Sequence, residues 1–151
     1  MQQSQARQRV LDYLTAFYAG DTAGAQDCCD DEIDSITYAP IELLPHLGHK
    51  HGKAWVAEAI RIQQARYTNR RTEVTFIAVD GLKVATMQRV FMEKRNDQRL
   101  IQADVAEFFT LHAGRIISHR LFFDSFDLIE QILGQDLTDA FAGLIEDATR
   151  T

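Results

Sequence analysis

The sequence predicts an α+β fold, with helices gathered on one face of an antiparallel sheet. Two observations carry this expectation. Residues 84–124 alternate Val, Ile, Phe, Thr and Met with period two, broken at Lys94-Arg95-Asn96-Asp97-Gln98-Arg99 and at Ala113-Gly114, so they read as three consecutive strands. The 3.6-residue periodicities fall outside that region, which segregates helices from strands.

The first helix is expected from an N-cap at Ser4 to about Ala19, its stripe being Val10, Tyr13, Leu14, Phe17 and Tyr18. Gly20 ends it, as glycine commonly does just past a helix. Asp21-Thr22 opens a short second helix that reaches Cys29 and is followed by the acidic turn Asp30-Asp31-Glu32. Residues 33–38 read as a strand stopped by Pro40, and a long loop with Pro45 and two glycines follows to Lys53. Helical spacing returns over residues 54–67 in Trp55, Ala59, Ile60 and Ile62. A strand at 73–79 and one at 82–93 flank Asp80-Gly81, a strong hairpin signal. After the sheet, Asp127 to Leu133 forms a short helix closed by Gly134. Asp136 then caps a last helix with Leu137, Ala140, Phe141, Leu144, Ile145 and Ala148 along one stripe. That stripe needs a partner, either this domain or a second chain.

Loop centres fix registers. A loop centred on Asn96-Asp97 sets Arg89 opposite Asp104. One centred on Ala113-Gly114 sets Asp104 opposite Phe123, Ala106 opposite Leu121 and Phe108 opposite His119. Strict alternation then places Met87, Arg89, Phe91, Gln102, Asp104, Ala106, Phe108, His119, Leu121 and Phe123 on one face, which is apolar with an acid and a base set into it. The other face would carry Val90, Met92, Val105, Phe109 and Phe122 with Glu107 and Arg120. If helices cover the first, the second is an exposed apolar patch that a homodimer through the sheet would bury.

With 151 residues the chain fits one domain and buries enough surface to need no disulfide or structural metal. Its formal charge of −6 argues against nucleic acid or an anionic membrane as partner. No long apolar run suggests a membrane span, and Met1-Gln2-Gln3-Ser4 lacks the pattern of an export signal. Adjacent Cys28 and Cys29 on a helix point apart, so reduced thiols in the cytoplasm are expected. They lack a basic neighbour that would make a nucleophile. His46, His49 and His51 lack a nearby cysteine or carboxylate and read as solvated loop histidines rather than a metal site. No cofactor is implied.

Tyr13-Leu14-Thr15-Ala16-Phe17-Tyr18-Ala19-Gly20-Asp21, the acidic Cys29-Asp30-Asp31 before a strand, His51-Gly52-Lys53 at a helix start and the Gly114-Arg115-Ile116 turn carry a family resemblance. Together with the order of elements they resemble the cone-shaped, cystatin-like fold of the nuclear transport factor 2-like superfamily. Ketosteroid isomerases, SnoaL-like polyketide cyclases and limonene epoxide hydrolases belong to it. The resemblance spans about residues 5–134, leaving 135–151 as an appended C-terminal helix on a single SnoaL-like domain. It implies a curved mixed sheet wrapped around N-terminal helices, a homodimer through the sheet, and an apolar cavity for a small hydrophobic molecule.

Resemblance to the isomerases places Tyr13 and Asp104 at the oxyanion-hole positions, where an apolar site can hold a carboxylic acid protonated. The family's general base has no counterpart, since Ser35-Ile36-Thr37 holds no carboxylate. Against the epoxide hydrolases, Arg89 matches an arginine, but Phe91 and Leu121 replace both aspartates, which disfavours water activation. Resemblance to the cyclases implies His119 for proton transfer at a carbon acid. Expected catalytic residues are therefore Tyr13, Asp104, Arg89 and His119. The expected cavity wall is Tyr38, Trp55, Met87, Phe91, Phe108, Leu121 and Phe123. An Arg89–Asp104 pair reads either as a structural cross-strand ion pair or as a polar group for a ligand. The sequence leaves open an isomerase- or cyclase-like enzyme and a binding or dimerisation module without chemistry, and it names no substrate.

Overall fold

A computed structural model describes residues 2–150. Helix α1 (Gln2–Ala19) and helix α2 (Thr22–Asp27) lead into strand β1 (Cys29–Tyr38). Strand β2 (Gly48–His51) and helix α3 (Lys53–Arg66) follow, then β3 (Tyr67–Asp80), β4 (Lys83–Lys94), β5 (Leu100–His112) and β6 (Arg115–Phe123). Helices α4 (Ser125–Leu133) and α5 (Thr138–Thr149) end the chain. One six-stranded sheet runs in the order β2-β1-β6-β5-β4-β3, with β1 parallel to β6 and the other pairs antiparallel. The sheet is curved and mixed, with α1 and α3 against its inner face, as expected from the sequence.

The core lies between those helices and that face. Val10 and Leu14 of α1, Val56 and Ile60 of α3, and Val84, Phe109, Leu111 and Ile116 of the sheet are buried together. Each such side chain contributes about 1.5–3 kcal/mol. Cys28 caps α2 and Cys29 begins β1, so the two thiols are not on one helix, yet both are free and buried. Burial pushes the Cys29 thiol up to about 12, leaving it protonated and unreactive.

Several local expectations are corrected. The helix α1 already includes Gln2, so Ser4 lies inside it rather than capping it. Asp136 accepts from the Thr138 N–H at 2.9 Å, but Leu137 is the N-cap of α5. The loop before α3 contains β2, pinned to β1 by His49 on Asp34 and His51 on Glu32. His49 and His51, still largely exposed, thus hold a strand edge rather than lying in a loop.

The decisive difference is one residue. Arg89 does sit opposite Asp104, as the first loop centre requires. Ala113 and Gly114 also form the expected two-residue turn, with φ of 51° and 76°, the positive pair of a type I′ hairpin. Beyond it His112 pairs with Arg115 and Leu111 with Ile116, but Thr110 pairs with Ser118. The extra residue Ile117 is a β-bulge, and from there the side chains of β6 are turned over relative to β5. Phe109, not Phe108, therefore faces His119, Glu107 faces Leu121, and Val105 faces Phe123.

Candidate functional site

The bulge decides which side chains share a face. Along β5 the inner set is Ile101, Ala103, Val105, Glu107, Phe109 and Leu111, most of it buried. Past Ile117 it is joined by His119, Leu121 and Phe123, and across β4 by Thr86, Gln88, Val90 and Met92. Between this surface and α1 and α3 lies a cavity of about 150 Å³. An engineered apolar cavity of about that volume admits benzene. Tyr13, Glu107 and His119 form its buried end, His46, Lys50 and Arg66 lie at its more exposed end, and Ser35 sits between them.

Of the expected site residues, Tyr13, Trp55, His119, Leu121 and Phe123 line this cavity. The others do not. Met87, Arg89, Phe91, Asp104 and Phe108 project from the outer face, and Tyr38 is stacked on Phe122 there at 4.4 Å between ring centroids. The Arg89–Asp104 pair exists at 3.3 Å, but its side chains are 46% and 64% exposed. It is a surface ion pair, not a group sealed into the cavity. The wall is completed instead by Leu14, Phe17, Tyr18, Val56, Ala59 and Ile62 of the helices.

Because His119, Leu121 and Phe123 were expected on the face of Asp104, the residue that the sequence left out of the expected site is Glu107. Its Oε2 lies 3.3 Å from His119 Nδ1, and both residues are buried. Neither partner alone makes the site. The contact is misaligned for a hydrogen bond, and Nδ1 has no other partner. Behind it runs a polar chain across the sheet: Thr72 donates to Gln88 Oε1 at 3.0 Å, and Gln88 Nε2 donates to Thr86 at 3.0 Å and to Glu107 at 3.5 Å. Such a chain fixes the carboxylate and raises the cost of losing any member. The signal that could have found Glu107 is composition along β5. Its own alternate set is otherwise apolar, whereas that of Asp104 carries Gln102, Thr110 and His112.

Around the pair, Phe109 stacks on the His119 ring at 5.9 Å and 10°, and Tyr13 meets it edge-on at 6.0 Å. Burial, reinforced by the charge of Glu107, holds the Tyr13 phenol well above its ordinary pKa. It is a hydroxyl donor, never a phenolate, at neutral pH. Ser35 is beside His119 across the parallel β1–β6 pair, and its Oγ is buried with no partner. Among the described residues no cluster of three or more histidine, cysteine or acidic side chains could hold a metal ion. No helix among them is long and apolar enough to cross a membrane.

The curved sheet closing on helices around a cavity defines the nuclear transport factor 2-like class. Within it, residues 10–119 match the SnoaL-like domain, so the chain belongs to that family. No curated protein sequence matches it. Among solved structures, a candidate isomerase from Rhodopseudomonas palustris is 28% identical, with a TM-score of 0.76 over 86% of this chain and 97% of that one. An epoxide hydrolase of M. tuberculosis, described as LEH-like, is 20% identical with a TM-score of 0.71, over 94% and 99% of the two chains. A candidate SnoaL-like polyketide cyclase from Jannaschia sp. CCS1 is 14% identical with a TM-score of 0.76, over 89% and 96%. The last two likenesses establish the fold alone.

Proposed function

We propose that the cavity binds a small, largely apolar ring compound and moves a proton at a carbon acid, as an isomerase or cyclase does. The observation that carries this is the His119–Glu107 pair buried at the end of an apolar cavity beside the Tyr13 hydroxyl. Glu107 favours the tautomer with the proton on Nδ1, which leaves Nε2 as the basic atom. His119 takes the proton from a carbon next to a carbonyl, the C–H electrons become the enolate double bond, and the carbonyl oxygen takes the charge. Tyr13 donates to that oxygen, in surroundings dry enough to make the bond count. Returning the proton at a different carbon gives an isomer; attack of the enolate on a second carbonyl closes a ring. The loose His119–Glu107 geometry is compatible with this role, since catalytic hydrogen bonds often tighten only around substrate. The likeness to the R. palustris candidate isomerase supports the same class.

Epoxide hydrolysis is not supported: among the described residues Glu107 is the only carboxylate lining the cavity, and it faces His119. A binding module without chemistry draws on the oblique contact at Nδ1. Deuterium uptake from heavy water separates the two. Single-ring diketones and β,γ-unsaturated ketones, followed by NMR, should exchange faster with the protein than in buffer. His119→Gln should lower the enhancement by about 100- to 10,000-fold with binding retained. Exchange no faster than buffer, or unchanged by His119→Gln, would refute the enzyme reading.

For assembly, we propose a homodimer through the outer face of the sheet. Phe76, Met87, Phe108 and Phe122 are exposed there together with Tyr38, and grouped exposed apolar side chains mark interaction surfaces.

A further inference from the structure

Lys50, Ser35 and His119 are register partners across three adjacent strands: Ser35 pairs with Lys50 on β2 and with His119 on β6. All three line the cavity. With strands about 4.8 Å apart, the row runs about 10 Å from the proposed base to a lysine. Arg66 stands at the same end, its Nη1 3.4 Å from His46 Nδ1, so the neutral imidazole accepts from the guanidinium. Several cations of this acidic chain are held by carboxylates, as Arg61, Arg71, Arg89, Lys94 and Arg120 show. Lys50 and Arg66 have no carboxylate partner among the described residues. Lys50 lies instead over the Trp55 ring, 4.9 Å from its centroid. Between the two ends sits the Ser35 hydroxyl, 4% exposed and unpartnered. A buried polar atom without a partner in an apolar wall costs free energy unless a ligand satisfies it.

We infer that the ligand is a ring compound bearing a carboxylate, with its ring against His119 and Tyr13 and its carboxylate received by Ser35 Oγ, Lys50 and Arg66. This rests on the proposed site and narrows its substrate class. The row explains three things together. A neutral apolar ligand would leave the Ser35 hydroxyl orphaned and two cations facing an empty apolar mouth. The carboxylate end accepts charge-assisted hydrogen bonds, the strong kind, from a lysine, an arginine and a serine. The spacing keeps that charge away from Glu107, next to His119, at the opposite end of the row.

Trp55 is the one tryptophan in the chain and lines the cavity, so its fluorescence reports occupancy, with calorimetry as a check. The probes are cyclohexanecarboxylate and phenylacetate, each against its primary amide. The carboxylates should bind about tenfold or more tighter than the amides at low salt, and the margin should shrink as salt is added. Lys50→Gln with Arg66→Gln should bring each carboxylate down to its amide and leave the amides unmoved. Ser35→Ala should weaken the carboxylates by a smaller factor. Arg66 is exposed, so Arg66→Gln alone keeps the test if the pair does not fold. Equal binding of acid and amide, a preference that survives the double substitution, or no carboxylate binding up to about 10 mM overturns the inference. Carboxylate preference without deuterium uptake would sink only the catalytic reading; deuterium uptake without the preference would sink only this one.

Discussion

Phe108 and Phe109 are neighbours in β5 and differ in everything that follows from direction. Phe109 is 2% exposed and stacked on His119, while Phe108 is 49% exposed and meets Phe122 edge-on. The same holds for the acids one turn of the pleat away. Glu107 is buried against His119 with a hydrogen-bonded chain behind it, whereas Asp104 is solvated and holds Arg89 from the surface. The two faces of one strand thus each carry an acid and a phenylalanine. What makes one of them a site is the cover of α1 and α3, which removes water and lets few polar groups act strongly.

The largest expected effect tests that cover. Phe109→Ala should cost about 3–5 kcal/mol by opening a hole in the core, read as a lower denaturation midpoint at every protein concentration. Phe108→Ala in an isolated subunit should cost far less. In the proposed dimer, Phe108→Ala with Phe122→Ala should instead make the melting temperature independent of concentration and halve the sedimenting mass. A protein that sediments as a monomer before any substitution would remove the dimer.

The order of elements apart from β2, the hairpin at Gly81, the end of α4 at Gly134 and the Arg89–Asp104 register were all legible, because each depends on a few consecutive residues. What escaped were pairings that depend on distant ones. Gly48-His49-Lys50-His51 has little strand character of its own and becomes β2 only because β1 offers it an edge and carboxylates at Asp34 and Glu32. The bulge at Ile117 has no glycine or proline to announce it. Its effect is nonetheless total for the site: it sends His119, Leu121 and Phe123 to the face of Glu107 rather than that of Asp104. The pattern of β5 held the correction, since Ile101, Val105, Phe109 and Leu111 form the more apolar set.

A smaller effect follows from the buried phenols. Burial raises the pKa of both Tyr13 and Tyr18. The folded chain therefore keeps these protons above pH ~10, where the unfolded chain gives them up. Their contribution is fully present below that pH and is lost as pH rises, by up to about 1.4 kcal/mol per pH unit for each tyrosine. Alkaline unfolding followed by circular dichroism should begin at higher pH in Tyr13→Phe with Tyr18→Phe than in the parent. An unchanged onset would mean that water reaches the inner face more freely than the packing of α1 implies.

The smallest effect lies on the outer face and gauges what covers it. A double-mutant cycle on Arg89→Ala and Asp104→Ala should give a coupling of about 0.2–1 kcal/mol if the pair stays as solvated as in the single subunit. The value should also fall with salt, since exposed charges are screened. If a second subunit seals the pair, truncating either partner strands a buried charge, and the penalty becomes several kcal/mol. The same cycle run below and above the dimer dissociation concentration would then return two different numbers. One small, salt-sensitive value at every concentration would leave Arg89 and Asp104 facing water, on the face opposite His119.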